Sequence, residues 1–265
     1  MIDDDLCSPD LSSSLKTLFI GRDIRYFDRV ASTNEVAREL ARSGIPEGAT
    51  IVANYQDAGR GRMGRTWVSP PGSSLLVSIV LRPSLAEINS LIMAGALATV
   101  KAIESTTALK ASIKWPNDVE IDGKKICGIL AESEVERGRL LFAVLGTGLN
   151  VNFDPRQHPG IPSTATSLSI EAGYPIGRVP VLRAYLETLE HYYLASRGGA
   201  PVWQEWKDHL ETLGKWVRLT SGGSVTEGWA EDVDASGTIY IRQPNGQVIK
   251  ALAGEVTLRV VRPPL

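Results

Sequence analysis

A change of punctuation at Gly214 narrows the possible folds more than anything else along this chain. Beyond it, strand-like runs at 215–221, 227–232, 238–242 and 248–251 are separated by Gly222-Gly223, Ser236-Gly237 and Asn245-Gly246. Such pairs tolerate the positive φ of tight hairpin turns, so each reverses the chain and returns it to the same sheet. The spacing predicts a small all-β unit of five or so short strands, a small barrel.

Before Gly214 helical and strand patterns alternate. Val36, Ala37, Leu40 and Ala41 follow Ser32-Thr33-Asn34-Glu35 at helical spacing, and Gly44 stops them. Ser32 at the N-cap and Glu35 at N3 predict a capping box. Residues 49–56, 74–82 and 140–151 read as strands, and 85–105, 179–196 and 201–213 as helices. Residues 110–115 form a short strand stopped by Pro116, and 119–121 and 124–132 flank the hairpin signal Asp122-Gly123. The weakly patterned start predicts a fringe with one short helix near 11–20. The layout is an N-terminal extension (1–25), an α/β domain with a mixed sheet (26–213) and a small β domain (214–265).

Composition removes several classes. In a chain of 265 residues, 43% hydrophobic and 22% charged residues suit a soluble globular protein. Lys plus Arg is 28 against 30 for Asp plus Glu, a net charge of −2 without the basic footprint of nucleic-acid binding. Cys7 and Cys127 are too few for a disulfide framework, which points to a reducing cytoplasm; Cys127, among apolar neighbours, reads as a buried small hydrophobe. The opening MIDDDLCSPD lacks the regions of a signal peptide, and the longest apolar run, 91–100, is too short to cross a bilayer. His158, His191 and His209 have no paired metal spacing.

The chemistry is concentrated in QDAGRGRMGRTW, from Gln56 to Trp67. Gly59, Gly61 and Gly64 alternate with Arg60, Arg62 and Arg65 between two strands. Glycines let backbone N–H groups approach a ligand, and arginines present planar forks to phosphate oxygens. This is an anion-cradling loop, or else a solvated basic turn or an RGG-like nucleic-acid contact. No Gly-Lys-Ser/Thr follows, so it is no Walker A loop, and it leads into a strand, so it is no dinucleotide fingerprint.

GRGRMGRTW resembles the signature loop of biotin protein ligases. Four further family motifs stand in order: STNEVA from Ser32, KWPNDV from Lys114, KKICGILAE from Lys124 and GTGLNVN from Gly146. The resemblance runs from about Tyr26 to the C-terminus. It implies a mixed sheet of the class II aminoacyl-tRNA synthetase-like, biotin/lipoate ligase type, with a small C-terminal SH3-like β-barrel. It implies a two-step reaction as well. Biotin's carboxylate attacks the α-phosphate of ATP, giving biotinyl-5′-AMP and pyrophosphate; a lysine of a biotin carboxyl carrier protein then takes the biotin and releases AMP. Such a site must gather two anions and then shelter a water-sensitive anhydride.

The resemblance distributes the roles. Ser32, Thr33, Asn34 and Gln56 would meet the ureido ring, with Gly59, Arg60, Gly61, Arg62, Lys125, Gly128 and Gly148 completing the biotin site. From pattern alone, Ser32 to Asn34 are plain capping residues, Gln56 a strand-end polar residue and Lys125 a solvated strand-start lysine. Lys125 would reach both the biotin carboxylate and the α-phosphate as a fixed cation, with Arg60 and Arg62 beside it. Arg62, Arg65, Trp67, Lys114, Asn117, Asp118, Lys125, Asn150 and Arg259 would serve ATP. Asn117 and Asp118 would face phosphates or Mg2+, with Asp118 as the metal residue, and Lys114 would contact phosphate or only neutralise the site. Trp67 would anchor the base of the Arg loop, and residues 165–168 would lie beside the nucleotide.

Only 31 residues precede Ser32, and Asp3-Asp4-Asp5 opens them. That is short and acidic for the winged helix of the DNA-binding relatives, so the expectation is a monofunctional ligase that binds no DNA and no membrane. A homodimer through an exposed sheet edge is left open. The competing readings are a lipoate or octanoyl transferase of similar fold, against which the Arg loop speaks, and a nucleic-acid binder, against which the neutral charge speaks.

Overall fold

The computed structural model describes residues 4–8, 10–253 and 256–263. Asp3 of the acidic opening, and Gly254 and Glu255 just before the strand that carries Arg259, lie outside them.

Seven strands make the first sheet: β1 (Ile24–Val30), β2 (Thr50–Gln56), β3 (Ser74–Leu81), β4 (Ser112–Lys114), β5 (Asp118–Ile121), β6 (Lys124–Glu136) and β7 (Arg139–Asn150). Their order is β1-β2-β3-β7-β6-β5-β4; β1 and β2 are parallel and every other pair is antiparallel, so the expected mixed sheet is present. The parallel pair requires a crossover, and α2 (Thr33–Arg42) supplies it. Ala37 and Ala41 of α2 are buried on one face of the sheet with Ile51, Val80, Phe142 and Val144.

The other face is covered by α3 (Ile88–Thr106) and α5 (Arg178–Arg197), with α6 (Val202–Asp208) packed beside them. With the turn before it, α3 forms an apolar stretch from Leu85 to Thr106, longer than the run read in the sequence and of mean hydropathy 1.3. It is long and apolar enough to cross a membrane, yet 61% of its most apolar 18-residue window is buried inside the protein, as a core helix requires.

Several expectations need correcting. Strand β1 was not anticipated: it is an edge strand bearing Arg25, Asp28 and Arg29, so it has no continuous apolar run to betray it. Strand β6 runs four residues past 132 to a turn at Arg137 and Gly138, because its outer half is exposed and needs no apolar alternation. Helix α6 stops at Asp208, since His209 and Glu211 bond instead to Ile113 of β4. A short helix, α4 (Leu168–Ala172), follows the Pro/Ser/Thr-rich loop. The Asp122-Gly123 turn is as expected, both residues having positive φ.

The start is no loose fringe. Around α1 (Asp10–Ser14), Leu6, Leu11, Leu15 and Ile20 are buried in the main core. Glu190 of α5 is 5% exposed, and its carboxylate accepts from the backbone N–H groups of Leu18, Phe19 (2.9 Å) and Ile20 (2.8 Å). Glu190→Ala should therefore destabilise the fold by about 2–4 kcal/mol, because three backbone donors, one buried and two half-buried, lose a charged acceptor. A lower denaturation midpoint at unchanged m-value is the expected readout, and an unchanged midpoint would show the clamp to be idle.

The second sheet has five antiparallel strands: β8 (Trp216–Ser221), β9 (Ser224–Val233), β10 (Ile239–Arg242), β11 (Val248–Ala251) and β12 (Val256–Val260), in the order β11-β10-β9-β8-β12. Its buried side chains, including Val217, Ile239 and Leu258, join the same core as the first sheet. Trp115 stitches the units together, its indole N–H donating to the Gly237 carbonyl at 2.9 Å.

Candidate active site

The α2 face of the first sheet carries a cavity of about 880 Å3, whose far wall is strand β12. Three glycines on β6 and β7 make room for it. A Cβ on Gly146 would collide with the Asn34 carboxamide; one on Gly148 would lie 2.6 Å from the Trp67 indole, and one on Gly128 3.0 Å from it. Gly146 was missed as a site residue. Its only signal was its place in the GTGLN run.

At one end stands the N-terminus of α2. Ser32 is the N-cap but makes no side-chain capping bond, so the capping box does not form. Gln56 caps the helix in its place. Its Oε1 accepts from the Thr33 N–H at 2.7 Å and from Thr33 Oγ1 at 2.9 Å. A helix N-terminus needs an acceptor, and here it comes from the end of β2 rather than from the helix's own sequence. Ser78 of β3 lies 2.8 Å from Thr33 Oγ1 and 2.6 Å from Asn34 Oδ1.

The Gly/Arg loop closes over the opposite side. From Gly59 to Trp67 its backbone bonds are internal: Gly61 N–H to Arg65 O (2.7 Å), Arg65 N–H to Arg62 O (3.2 Å) and Trp67 N–H to Gly59 O (2.8 Å). Side chains join it to its surroundings. Arg62 donates to Asn117 Oδ1 at 3.0 Å and to the Val256 carbonyl at 3.4 Å, and Arg60 faces Glu35 at 3.5 Å and Glu132 at 3.8 Å. Burial lowers the pKa of the Arg62 guanidinium, while the Asp118 charge acts in the opposite direction.

At the other end, the KWPND turn and the β5–β6 hairpin converge. Lys125 Nζ lies 2.6 Å from Asp118 Oδ1 and 5.6 Å from the centroid of the Trp67 ring. Asn117 donates to the Ile129 carbonyl at 2.7 Å, which holds its Oδ1 toward Arg62. Lys114 pairs with Glu120 at 2.7 Å; burial raises the Glu120 pKa against the pull of Lys114. Residues 164–166 pair with Lys125 through backbone bonds, and Asn150 holds the Thr166 carbonyl at 2.9 Å. Arg65 and Arg259 line the same cavity from the exposed side.

All the expected site residues but one meet at this cavity. Gly59 is the exception: it is buried behind the wall, where a side chain would strike the Trp67 carbonyl. Glu120, Glu211 and Lys215 also line it and were missed, since isolated charged residues carry no pattern. The donor set fits a chain of phosphates, with Arg62, Arg65, Lys114, Lys125 and Arg259 around one space. Asn150 Oδ1 and Trp67 Nε1, both buried, lack a protein partner. Among the described residues no three His, Cys, Asp or Glu side chains gather as a metal cage, so Asp118 is a single carboxylate. Cys127 is fully buried and its thiol is pushed up to about 12, so it is inert here.

Comparison with known proteins agrees with this geometry. Residues 26–150 match the Biotin/lipoate A/B protein ligase family, and residues 212–259 match the Biotin protein ligase C terminal domain. The chain is 35% identical to the bifunctional ligase/repressor BirA of Bacillus subtilis over 246 residues, 91% of this chain and 76% of that protein. The chain belongs to the biotin protein ligase family. The biotin–[acetyl-CoA-carboxylase] ligase of Mycobacterium tuberculosis, 30% identical, aligns over 97% of this chain and 98% of its own length. Among solved structures, the biotin protein ligase of Aquifex aeolicus in complex with biotin and ATP superposes with a TM-score of 0.76 at 28% identity, covering 91% of this chain and all of that one. For a biotin protein ligase, the convergence of the five motifs on one cavity is the structural basis of the family match.

Proposed function

We propose that this protein is an ATP-dependent biotin protein ligase that makes biotinyl-5′-AMP and transfers biotin to a lysine of a biotin carboxyl carrier protein. The observation that carries the reading is the single cavity in which the α2 N-terminus, Lys125 and the Arg62 loop face one another. Biotin's ureido ring lies at Ser32, Thr33, Asn34 and Gln56, and its carboxylate points toward Lys125. The phosphates of ATP lie among Arg62, Arg65, Lys114 and Arg259, with Asn117 and Asn150 beside them. Lys125 leaves Asp118 and neutralises the carboxylate and the α-phosphate as the oxygen–phosphorus bond forms and pyrophosphate departs. Were Mg2+ to accompany the nucleotide, Asp118 would offer it one oxygen and the ion would supply charge neutralisation at the phosphates.

Incubation with labelled biotin, ATP and a carrier domain tests this. Pyrophosphate release and a labelled carrier lysine are expected. Labelling by lipoate or octanoate instead, or nucleic-acid binding without labelling, would transfer the protein to a competing class.

Residues 26–213 form the catalytic domain in this reading and 214–265 the C-terminal one; the family matches cover 26–150 and 212–259. The first sheet is of the class II aminoacyl-tRNA synthetase-like type, and the second curls as an SH3-like barrel. The enzyme works in the cytoplasm, apart from membranes and, with its net charge of −2, from DNA. The outer edge of β6 beyond Ile129 has no neighbouring strand among the described residues, and it offers backbone groups to a carrier strand or a second copy.

The loop order fixes the order of binding. With its backbone bonds internal, the Gly/Arg loop moves as a unit, and an anion among its arginines holds it against the far wall more firmly than the Arg62 contacts with Asn117 and Val256 alone. Biotin binds first and completes the phosphate site. Proteolysis near Arg60 to Arg65 should be suppressed by biotin. Equal nicking with and without biotin, or ATP binding unaffected by biotin, would overturn the order.

A further inference from the structure

Glu132 closes the KKICGILAE run with no role assigned to it, yet three segments meet at its carboxylate. Oε2 accepts from Asn34 Nδ2 at 2.7 Å, Oε1 accepts from Arg38 at 2.6 Å, and Arg60 of the Gly/Arg loop lies 3.8 Å from Oε1.

An ionised carboxylate has no hydrogen to donate, so the Asn34 carboxamide must turn its NH2 toward Glu132 and its Oδ1 the other way. Oδ1 can only accept, so Ser78 Oγ, 2.6 Å away, donates to it. Ser78 has one proton, so while it serves Asn34 it cannot also be donated to Thr33 Oγ1, 2.8 Å away. The Thr33 hydroxyl donates to Gln56 Oε1 at 2.9 Å. Gln56 Oε1 also receives the Thr33 N–H, which turns the Gln56 NH2 away from α2. Sterics hold the Asn34 side chain in place, since its amide rests on Gly146 with no space for a Cβ between them. The direction is therefore fixed from Glu132 through Asn34 to Ser78, and at Gln56 it is fixed separately by the Thr33 N–H. Among the described residues, the second Asn34 N–H and the Gln56 NH2 find no protein acceptor, and both residues line the cavity.

We propose that Glu132 is a positioning residue: its acceptor-only carboxylate sets the direction of the hydrogen bonds through Asn34 and Ser78, so that Asn34 presents an N–H donor to a ligand carbonyl at this end of the cavity. This rests on the ligase reading above, in which the ureido oxygen is that carbonyl.

The test is pyrophosphate release measured against biotin and ATP concentration, with thermal melts, for the wild type, Glu132→Leu, Glu132→Gln, Asn34→Ala, Ser78→Ala and the Glu132→Leu/Asn34→Ala double variant. Glu132→Leu should raise KM for biotin by about 10-fold or more, with kcat and the KM for ATP within about 2-fold of wild type. Glu132→Gln, whose Oε1 still accepts from Asn34, should recover most of the loss. In the Asn34→Ala background, Glu132→Leu should add little, because the two act through one path. A wild-type biotin KM in Glu132→Leu, a fall confined to kcat, or a full Glu132 effect without Asn34 would overturn the proposal. If Glu132→Leu does not fold, Ser78→Ala decides, since it breaks the same chain with a small change: a raised biotin KM supports the proposal and an unchanged one defeats it. A wild type that releases no pyrophosphate defeats the ligase reading and this inference with it, whereas an active wild type indifferent to Glu132 defeats the inference alone.

Discussion

Lys125→Ala is expected to lower pyrophosphate release by roughly 30- to 1,000-fold while biotin still binds, a loss of about 2–4 kcal/mol of transition-state stabilisation. Lys125 lies at the start of β6, over the Trp67 ring and 2.6 Å from Asp118, with Arg62 on the opposite wall. Two anions must approach each other here, and in the ligase reading the ammonium stands between the biotin carboxylate and the α-phosphate. Asp118 holds it extended in the meantime, so alanine removes the charge and leaves Asp118 to repel phosphate. The measurement is single-turnover pyrophosphate release beside a biotin-binding titration. Release at a near wild-type rate would remove Lys125 from catalysis.

The second large effect concerns retention of the intermediate. Arg62→Gly should still form adenylate but release it roughly 10- to 100-fold faster, as expected from losing about 1.5–3 kcal/mol of charged hydrogen bonding. Arg62 is the loop's tie to the far wall, bonded to Asn117 Oδ1 and to the Val256 carbonyl of β12. Without it the loop keeps its internal bonds and loses this hold on the opposite side. Escaped adenylate then acylates any exposed lysine. Label appearing on a bystander protein mixed with the carrier is the expected result, and label confined to the carrier lysine would refute the retention role.

Much of the fold was legible because local chemistry and tertiary need agree there. Asp122-Gly123 turns where its positive φ permits, and the strand-turn cadence after Gly214 does become a five-stranded antiparallel sheet. The Gly/Arg loop stands where its glycines and arginines announced it. What escaped was whatever depends on a surface rather than on a pattern. Strand β1 and the outer half of β6 are partly exposed edges, so no apolar rhythm marks them. The predicted capping box at Ser32 lost to Gln56, which caps the helix from 23 positions beyond Thr33 along the chain.

Which chemistry the chain carries was already written in its residues. The motifs name the cations, amides and glycines, since residue type alone settles what can hold a phosphate or let a backbone pass close. Which of them meet, and in what orientation, came from folding. Glu132, Asn34, Ser78 and Gln56 come from β6, α2, β3 and β2, and only the sheet order brings them within hydrogen-bond reach. A hydrogen bond has a direction and a range of about 3 Å, neither of which is written in the spacing of residues along a chain.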